Sequence, residues 1–382
     1  MSVEIQPVSS RRDLTRFIKL PWRIYRNEPR WIPPLIFERR RYLDRARNPF
    51  FGHAEAEYLI AWRDGQPVGR VSAHVDRNLN EFQGNRWGLF GFFECAEDPE
   101  AAKALLAAAE RWLGARGCDR IVGPMSFTMN DECGVLIEGH ERRPLVQQPW
   151  THPYYPALLE GAGLGKAMDL LMWNLEVTDR SKVLPVIFEL AEKVEPEHGI
   201  VVRHMRKRDL EAEARRFVEV YNVAWSDNWG FVPMTDEEMI HAAKENKLVL
   251  DENWMMVAER DGETVGAALT VPDFNQVLEK LNGRLLPLGW LKALLARRRI
   301  DRVRVGFLGV KPEYQHTGVA AAFYAEHFEM AAKTPQTGGE MGWILETNTA
   351  MNRGMEAMGG RVVKRYRIYA KDLPGEDRRS RE

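Results

Sequence analysis

Leu308-Gly309-Val310-Lys311-Pro312-Glu313-Tyr314-Gln315-His316-Thr317-Gly318-Val319-Ala320 is the most informative stretch of this chain. It reads as a strand that stops at a proline, a short polar loop, a glycine and the start of a helix. Backbone N–H groups in a first helical turn have no partner inside the helix. With the helix dipole they suit a phosphate or pyrophosphate. Gly318 lets the backbone approach such an anion, and Gly318–Ala322 carries no acid to repel it. The plainer alternative is a βα turn capped by Thr317.

Working outward, the same order of elements occurs twice. The second copy runs from a strand at 199–205 and a helix at 208–225 to a hairpin at 252–271. A strand at 303–310, the loop, a helix from Gly318 to about Lys333, a strand at 341–346, a helix at 348–358 and a strand at 361–373 follow. In the first copy the matching pieces are a strand at 3–8, a helix at 11–27, a hairpin within 57–75 and a strand at 86–94. An Ala-rich helix, a strand at 119–125, a short helix at 153–162 and a strand at 167–176 close it. Asp64-Gly65 and Asp261-Gly262 mark the two hairpin turns. The expected organisation is residues 1–178 as one copy, 179–198 as a helical linker, 199–373 as the other copy and 374–382 as a disordered tail.

Gln315-His316-Thr317-Gly318-Val319-Ala320 resembles the Gln/Arg-x-x-Gly-x-Gly/Ala motif of the GCN5-related N-acetyltransferases. The strand Leu308-Gly309-Val310 before it resembles that family's splayed fourth strand, and Asn348…Asn352…Gly359-Gly360 its last helix and turn. The resemblance covers 199–373 by motif and 3–176 by element order. It implies an α+β fold of two tandem acyl-CoA N-acyltransferase domains, each a mixed, mostly antiparallel sheet flanked by helices. It further implies an N-acyltransferase that uses acetyl-CoA or a longer acyl-CoA as co-substrate, a primary amine as acceptor and no metal. Leu308, Gly309, Val310, Gln315, His316, Thr317, Gly318, Val319, Ala320 and Asn352 would then hold the acyl-CoA.

Two departures bear on catalysis. Family members often carry a tyrosine on the last helix as general acid. Here that register falls on Met355. Many carry a glutamate on the fourth strand as base, and Val303–Val310 has none. Glu346 and Asn348, after the fifth strand, are the candidates beside the thioester. The structural alternatives are an ion-paired carboxylate for Glu346 and a helix N-cap for Asn348. Trp225, Asn228 and Trp229, after the first helix of this copy, would border the acceptor or simply pack a loop.

In the first copy the loop equivalent is Glu97-Asp98-Pro99-Glu100. Asp98 reads as an N-cap and Pro99 as N1. The carboxylates would repel a pyrophosphate, so this copy is expected to be degenerate. Gly123–Glu132 reads as a solvated loop or as a wall of the cleft. Gly161, Gly163 and Gly165 lack P-loop spacing and read as a helix end.

Composition narrows the rest. With 54 basic and 55 acidic residues the net charge is −1, which argues against a dedicated nucleic-acid binder. Cys95, Cys118 and Cys133 are too few for a disulfide scaffold and lack metal-ligand spacing. The expected location is cytoplasmic. The insertion 274–300 joins apolar residues to Arg297-Arg298-Arg299, and 281–299 could contact the inner face of the membrane, cover an acyl chain or pack on its own domain. The superfamily includes enzymes that move long acyl chains onto amines, some of a bacterial ceramide-synthase type. A non-catalytic acyl-CoA sensor and an inactive scaffold are the competing readings. Both a monomer and a homodimer fit the sequence.

Overall fold

The computed structural model describes residues 2–176 and 180–374. The expected tail lies almost wholly outside the described residues. The strands are β1 (Glu4–Pro7), β2 (Ala54–Arg63), β3 (Gln66–Asp76), β4 (Trp87–Cys95), β5 (Arg120–Gly123), β6 (Met125–Ser126), β7 (Glu132–Cys133) and β8 (Val135–Glu138). They continue with β9 (Gly165–Glu176), β10 (Val201–His204), β11 (Met255–Arg260), β12 (Glu263–Pro272), β13 (Arg302–Val310), β14 (Gly338–Leu345) and β15 (Arg361–Asp372). The fold is mixed α+β and mostly antiparallel, as expected.

The chain forms two compact units that do not follow the expected boundaries. Among the described residues the first comprises 2–169, 281–287 and 364–374, the second 170–176, 180–280 and 288–363. The closing strand of each sequence repeat thus belongs largely to the other unit: Leu170–Glu176 of β9 to the second, Lys364–Asp372 of β15 to the first. Sequence periodicity records which strand comes next along the chain, and it carries no information about which strands that strand pairs with.

In the first unit the strand order is β1-β2-β3-β4-β5-β15, with β8 also on β15. Ser10 caps the first helix, Arg11–Ile24, by accepting from the Asp13 N–H at 3.1 Å, and the helix buries Phe17, Ile18 and Leu20. The helix Pro99–Gly114 buries Ala101, Ala102, Leu105, Leu106, Ala109 and Leu113, an apolar face at helical spacing. Both hairpin turns have an Asp-Gly pair at positive φ (Asp64 53° and Gly65 72°; Asp261 52° and Gly262 84°).

In the second unit the order is β9-β14-β13-β12-β11-β10. Side chains alternate between two cores. Met256, Ala258, Ala268, Leu308 and Val310 pack with Val319, Phe323, Phe328 and Met355. Met255, Val257 and Ala267 pack on the other face with Phe217, Val220, Tyr221 and Phe231. β12 and β13 pair with a bulge: Leu269 faces Phe307 and Thr270 faces Val305, which leaves Gly306 as the extra residue. Val303 and Val305 share a core with Leu308 and Val310. The bulge therefore turns Phe307 to the opposite face, where it joins Phe217 and Tyr221.

Sequence periodicity missed the helices Ile36–Tyr42, Arg77–Gln83 and Asp236–Glu245. Thr235 and Glu238 form a capping box at the last of these, a signal present in the sequence.

Candidate acyl-CoA site

The central feature of the second unit is a strand pair that parts. β13 and β14 are parallel and pair from Arg302/Gly338 to Val305/Met341. β13 then continues to Val310 on β12 alone, and β14 continues to Leu345 on β9, where Ile344 and Leu345 face Leu171 and Leu170. Among the described residues no strand covers the β13 edge along Phe307–Val310. An extended chain bearing amides can add to such an edge through backbone hydrogen bonds.

At the far end of that edge, Pro312–Thr317 forms a 3-10 turn. Gly318 follows at φ 83°, and the helix Val319–Lys333 begins. Gly318 is the N-cap. No side chain caps the helix, and its first turn holds no acid. The Thr317 hydroxyl donates instead to the Tyr314 carbonyl at 2.6 Å, so the capped-turn alternative does not hold. Gln315 and His316 are exposed on the turn, and Gln315 Nε2 lies 3.4 Å from the Val310 carbonyl. A side chain at Gly318 would be disfavoured twice over. The φ is left-handed, and a Cβ would sit 3.2 Å from the Leu190 carbonyl oxygen and 3.3 Å from Val194.

Aromatic side chains line the near end. Trp225 closes the helix Leu210–Ala224, and its indole lies across Gly309, where any Cβ would collide with the ring. Trp225 stacks on Tyr221 with centroids 5.4 Å apart. Phe307 meets Phe217 at 5.3 Å and Tyr221 at 5.6 Å. Asn228 and Trp229 lie half-buried in the turn that follows, where the Asn228 N–H donates to the Trp225 carbonyl at 2.9 Å.

The candidates after β14 separate into different roles. Glu346 is half-buried in the turn at the strand end. Asn348 caps the helix Thr349–Ala357 by accepting from the Met351 N–H at 3.1 Å, so its structural reading holds. Asn352 is a splint: Nδ2 donates to the Leu345 carbonyl at 3.1 Å, and Oδ1 accepts from Trp173 Nε1 at 2.9 Å. Met355 is fully buried in the core. Sequence reasoning passed over Tyr324. Its hydroxyl reaches Met351 Sδ at 3.5 Å, and burial raises its pKa. The available signal was a tyrosine one and a half turns into the helix that follows the glycine loop. Among the described residues no group of three or more His, Cys, Asp or Glu is arranged to hold a metal.

The first unit has the same parting pair, and it is filled. β4 and β5 pair from Trp87/Arg120 to Leu89/Val122. β6 then enters the gap. The Met125 carbonyl abuts Gly91, leaving no room for a Cβ, and the Phe92 N–H donates to Ser126 Oγ at 3.1 Å. Phe127 is buried and stacks on Phe50 at 4.5 Å. The solvated-loop reading of 123–132 is therefore corrected, because Gly123–Phe127 is buried within this unit. At the helix start Asp98 accepts from the Ala101 N–H at 3.0 Å, and Arg63 pairs with Asp98 and Glu100 at 2.8 Å each. The place of Gly309 is taken by Glu94, whose Oε2 accepts from Tyr25 at 2.5 Å and Tyr155 at 2.7 Å.

No family model matches the chain. It is 35% identical over 371 residues to Protein YghO of Escherichia coli (strain K12), covering 95% of this chain and 94% of that one. It is also 35% identical over 378 residues to a bacterial ceramide synthase of Caulobacter vibrioides, covering 97% and 98%. Among solved structures, a tandem GNAT protein from the clavulanic acid biosynthesis pathway aligns at TM-score 0.58 and 12% identity, over 98% of this chain and all of that one. A GCN5-related N-acetyltransferase from Sphaerobacter thermophilus aligns at TM-score 0.52 and 15% identity, over 98% and 97%. At these identities the structural likeness concerns the fold.

Proposed function

The chain belongs to the tandem GCN5-related N-acyltransferases, in one family with the bacterial ceramide synthase, and from that premise we propose that its second unit transfers the acyl group of an acyl-CoA to a primary amine. The observation that carries this reading is the open β13 edge leading to an uncapped, acid-free helix start at Gly318. The edge suits the amides of a pantetheine arm. The helix start suits the pyrophosphate, with Gln315 and His316 beside it. Phe307 and Trp225 then lie where the arm reaches the opposite face of the strand. An apolar wall there favours a long acyl group over acetyl, and a lipid or amino-acid amine over a small polar one. Use of acyl-CoA, which is made in the cytoplasm, supports a cytoplasmic reaction.

The amine attacks the thioester carbonyl, loses a proton and expels the CoA thiolate. Glu346 is our candidate for taking that proton, directly or through water. Tyr324 is the candidate donor to the thiolate, since burial keeps its phenol protonated. Holding amine and thioester together contributes much of the rate. Asn348 and Asn352 act by shaping the end of β14.

The test is thermal denaturation of wild type and Gln315→Glu with CoA, acetyl-CoA and palmitoyl-CoA. Gln315 is exposed, so this variant keeps the fold, whereas a substitution at Gly318 would strain it. A ligand that binds only the folded state raises Tm. A larger shift with palmitoyl-CoA than with acetyl-CoA, reduced in the variant, supports the long-chain reading. Equal shifts without turnover of any amine favour an acyl-CoA sensor, and no shift overturns the assignment.

A further inference from the structure

The insertion between β12 and β13 ends in a helix that turns its apolar side chains away from the protein. Gly289–Ala296 buries only Ala296. Leu288 is 64% exposed, Trp290 54%, Leu291 43%, Leu294 42% and Leu295 61%. The sequence allowed this segment to pack on its own domain; Leu281, Ala296 and Ile300 are buried, while the large apolar side chains of 288–295 stay in solvent. Five large apolar side chains within eight residues, all exposed, form a contiguous patch of the kind soluble surfaces avoid. No acid interrupts 288–300. Lys292, Arg297, Arg298 and Arg299 give it four positive charges, and all four side chains are exposed.

We propose that this helix seats the second unit on an anionic lipid bilayer. The helix combines two chemistries that suit lipid. Leucines and one tryptophan suit the boundary between headgroups and acyl chains, and the three arginines at the helix end suit the phosphates of anionic lipids. A helix of eight residues is about 12 Å long, so it lies in the interface. Among the described residues no helix is long and apolar enough to cross a membrane. A second protein copy would match the leucines but would have to bury or pair four like charges.

Flotation of the full chain with vesicles tests it, without substrate. Vesicles of phosphatidylglycerol and phosphatidylcholine are compared with phosphatidylcholine alone, at low and high salt. Binding to the anionic vesicles that weakens with salt is expected. The double variant Leu291→Glu/Leu295→Glu should bind about tenfold more weakly or not at all, and Arg297→Glu/Arg298→Glu/Arg299→Glu should lose the preference for anionic lipid. All five side chains are exposed, so an unchanged Tm confirms folding. Wild type that fails to float with anionic vesicles overturns the proposal. So does equal flotation of the Leu291→Glu/Leu295→Glu variant. A solution dimer that this variant splits, with no vesicle binding by wild type, would instead assign the patch to a second copy.

Discussion

The indole of Trp225 lies across the Cα of Gly309, so the aromatic wall of the second unit touches the backbone of the parted strand directly. Any side chain at 309 and the ring at 225 compete for one space. Gly309→Ala should lower stability by about 1–3 kcal/mol through overpacking. Adding Trp225→Ala should recover part of that loss, which makes the pair non-additive. A double-mutant cycle by denaturant titration measures this. Additive effects would mean that the ring moves aside without cost.

The roles after β14 separate by readout. Glu346→Gln should reduce kcat by about 10²–10⁴-fold, with acyl-CoA binding retained. Asn348→Ala should cost about 1 kcal/mol of stability through loss of the cap, with little change in kcat per folded molecule. Steady-state kinetics beside thermal denaturation distinguishes the two. A catalytic collapse in Asn348→Ala with unchanged Tm would reverse the assignment.

Only one acyl-CoA should bind per chain, because Met125 and Ser126 fill the gap in the first unit and Asp98 occupies its helix start. Calorimetric titration should give a stoichiometry of one. Asp98→Ala should destabilise by about 0.5–2 kcal/mol and leave acyl-CoA affinity unchanged. A stoichiometry of two would show that β6 leaves the gap.

Stability should carry a pH signature from Glu94. Burial raises its pKa, against the opposing pull of Arg70 and the hydroxyls of Tyr25 and Tyr155. The folded state then holds this proton more tightly than the unfolded chain. Its contribution is fullest below the ordinary carboxylate pKa, and it is lost as pH rises from there through the raised value. Relative to Glu94→Gln, wild type should lose stability over that window and run parallel above it. Melting curves at a series of pH values check this, and a constant offset at every pH would contradict the raised pKa.

Much of this was legible in local pattern. Asp-Gly between β-rich runs marks both hairpins, and the Leu105–Leu113 stripe marks a helix. The acids at 97–100 against their absence at 318–322 tell the two helix starts apart. These depend on neighbours within a few residues, where φ preference and side-chain periodicity act directly.

Local sequence was therefore enough to read the tandem α+β architecture and to tell the acid-free helix start at Gly318 from the Asp98-capped one at Pro99. Tertiary structure decided that the closing strands change units, that Gly123–Phe127 plugs the first gap and that Trp225 requires a glycine at 309. It also decided that Leu288–Leu295 faces outward, a segment whose sequence suited a buried helix equally well. Each of these turns on space shared by residues far apart in the chain. Hydropathy sets whether a side chain prefers to leave water, and only the packed fold sets whether a place remains for it.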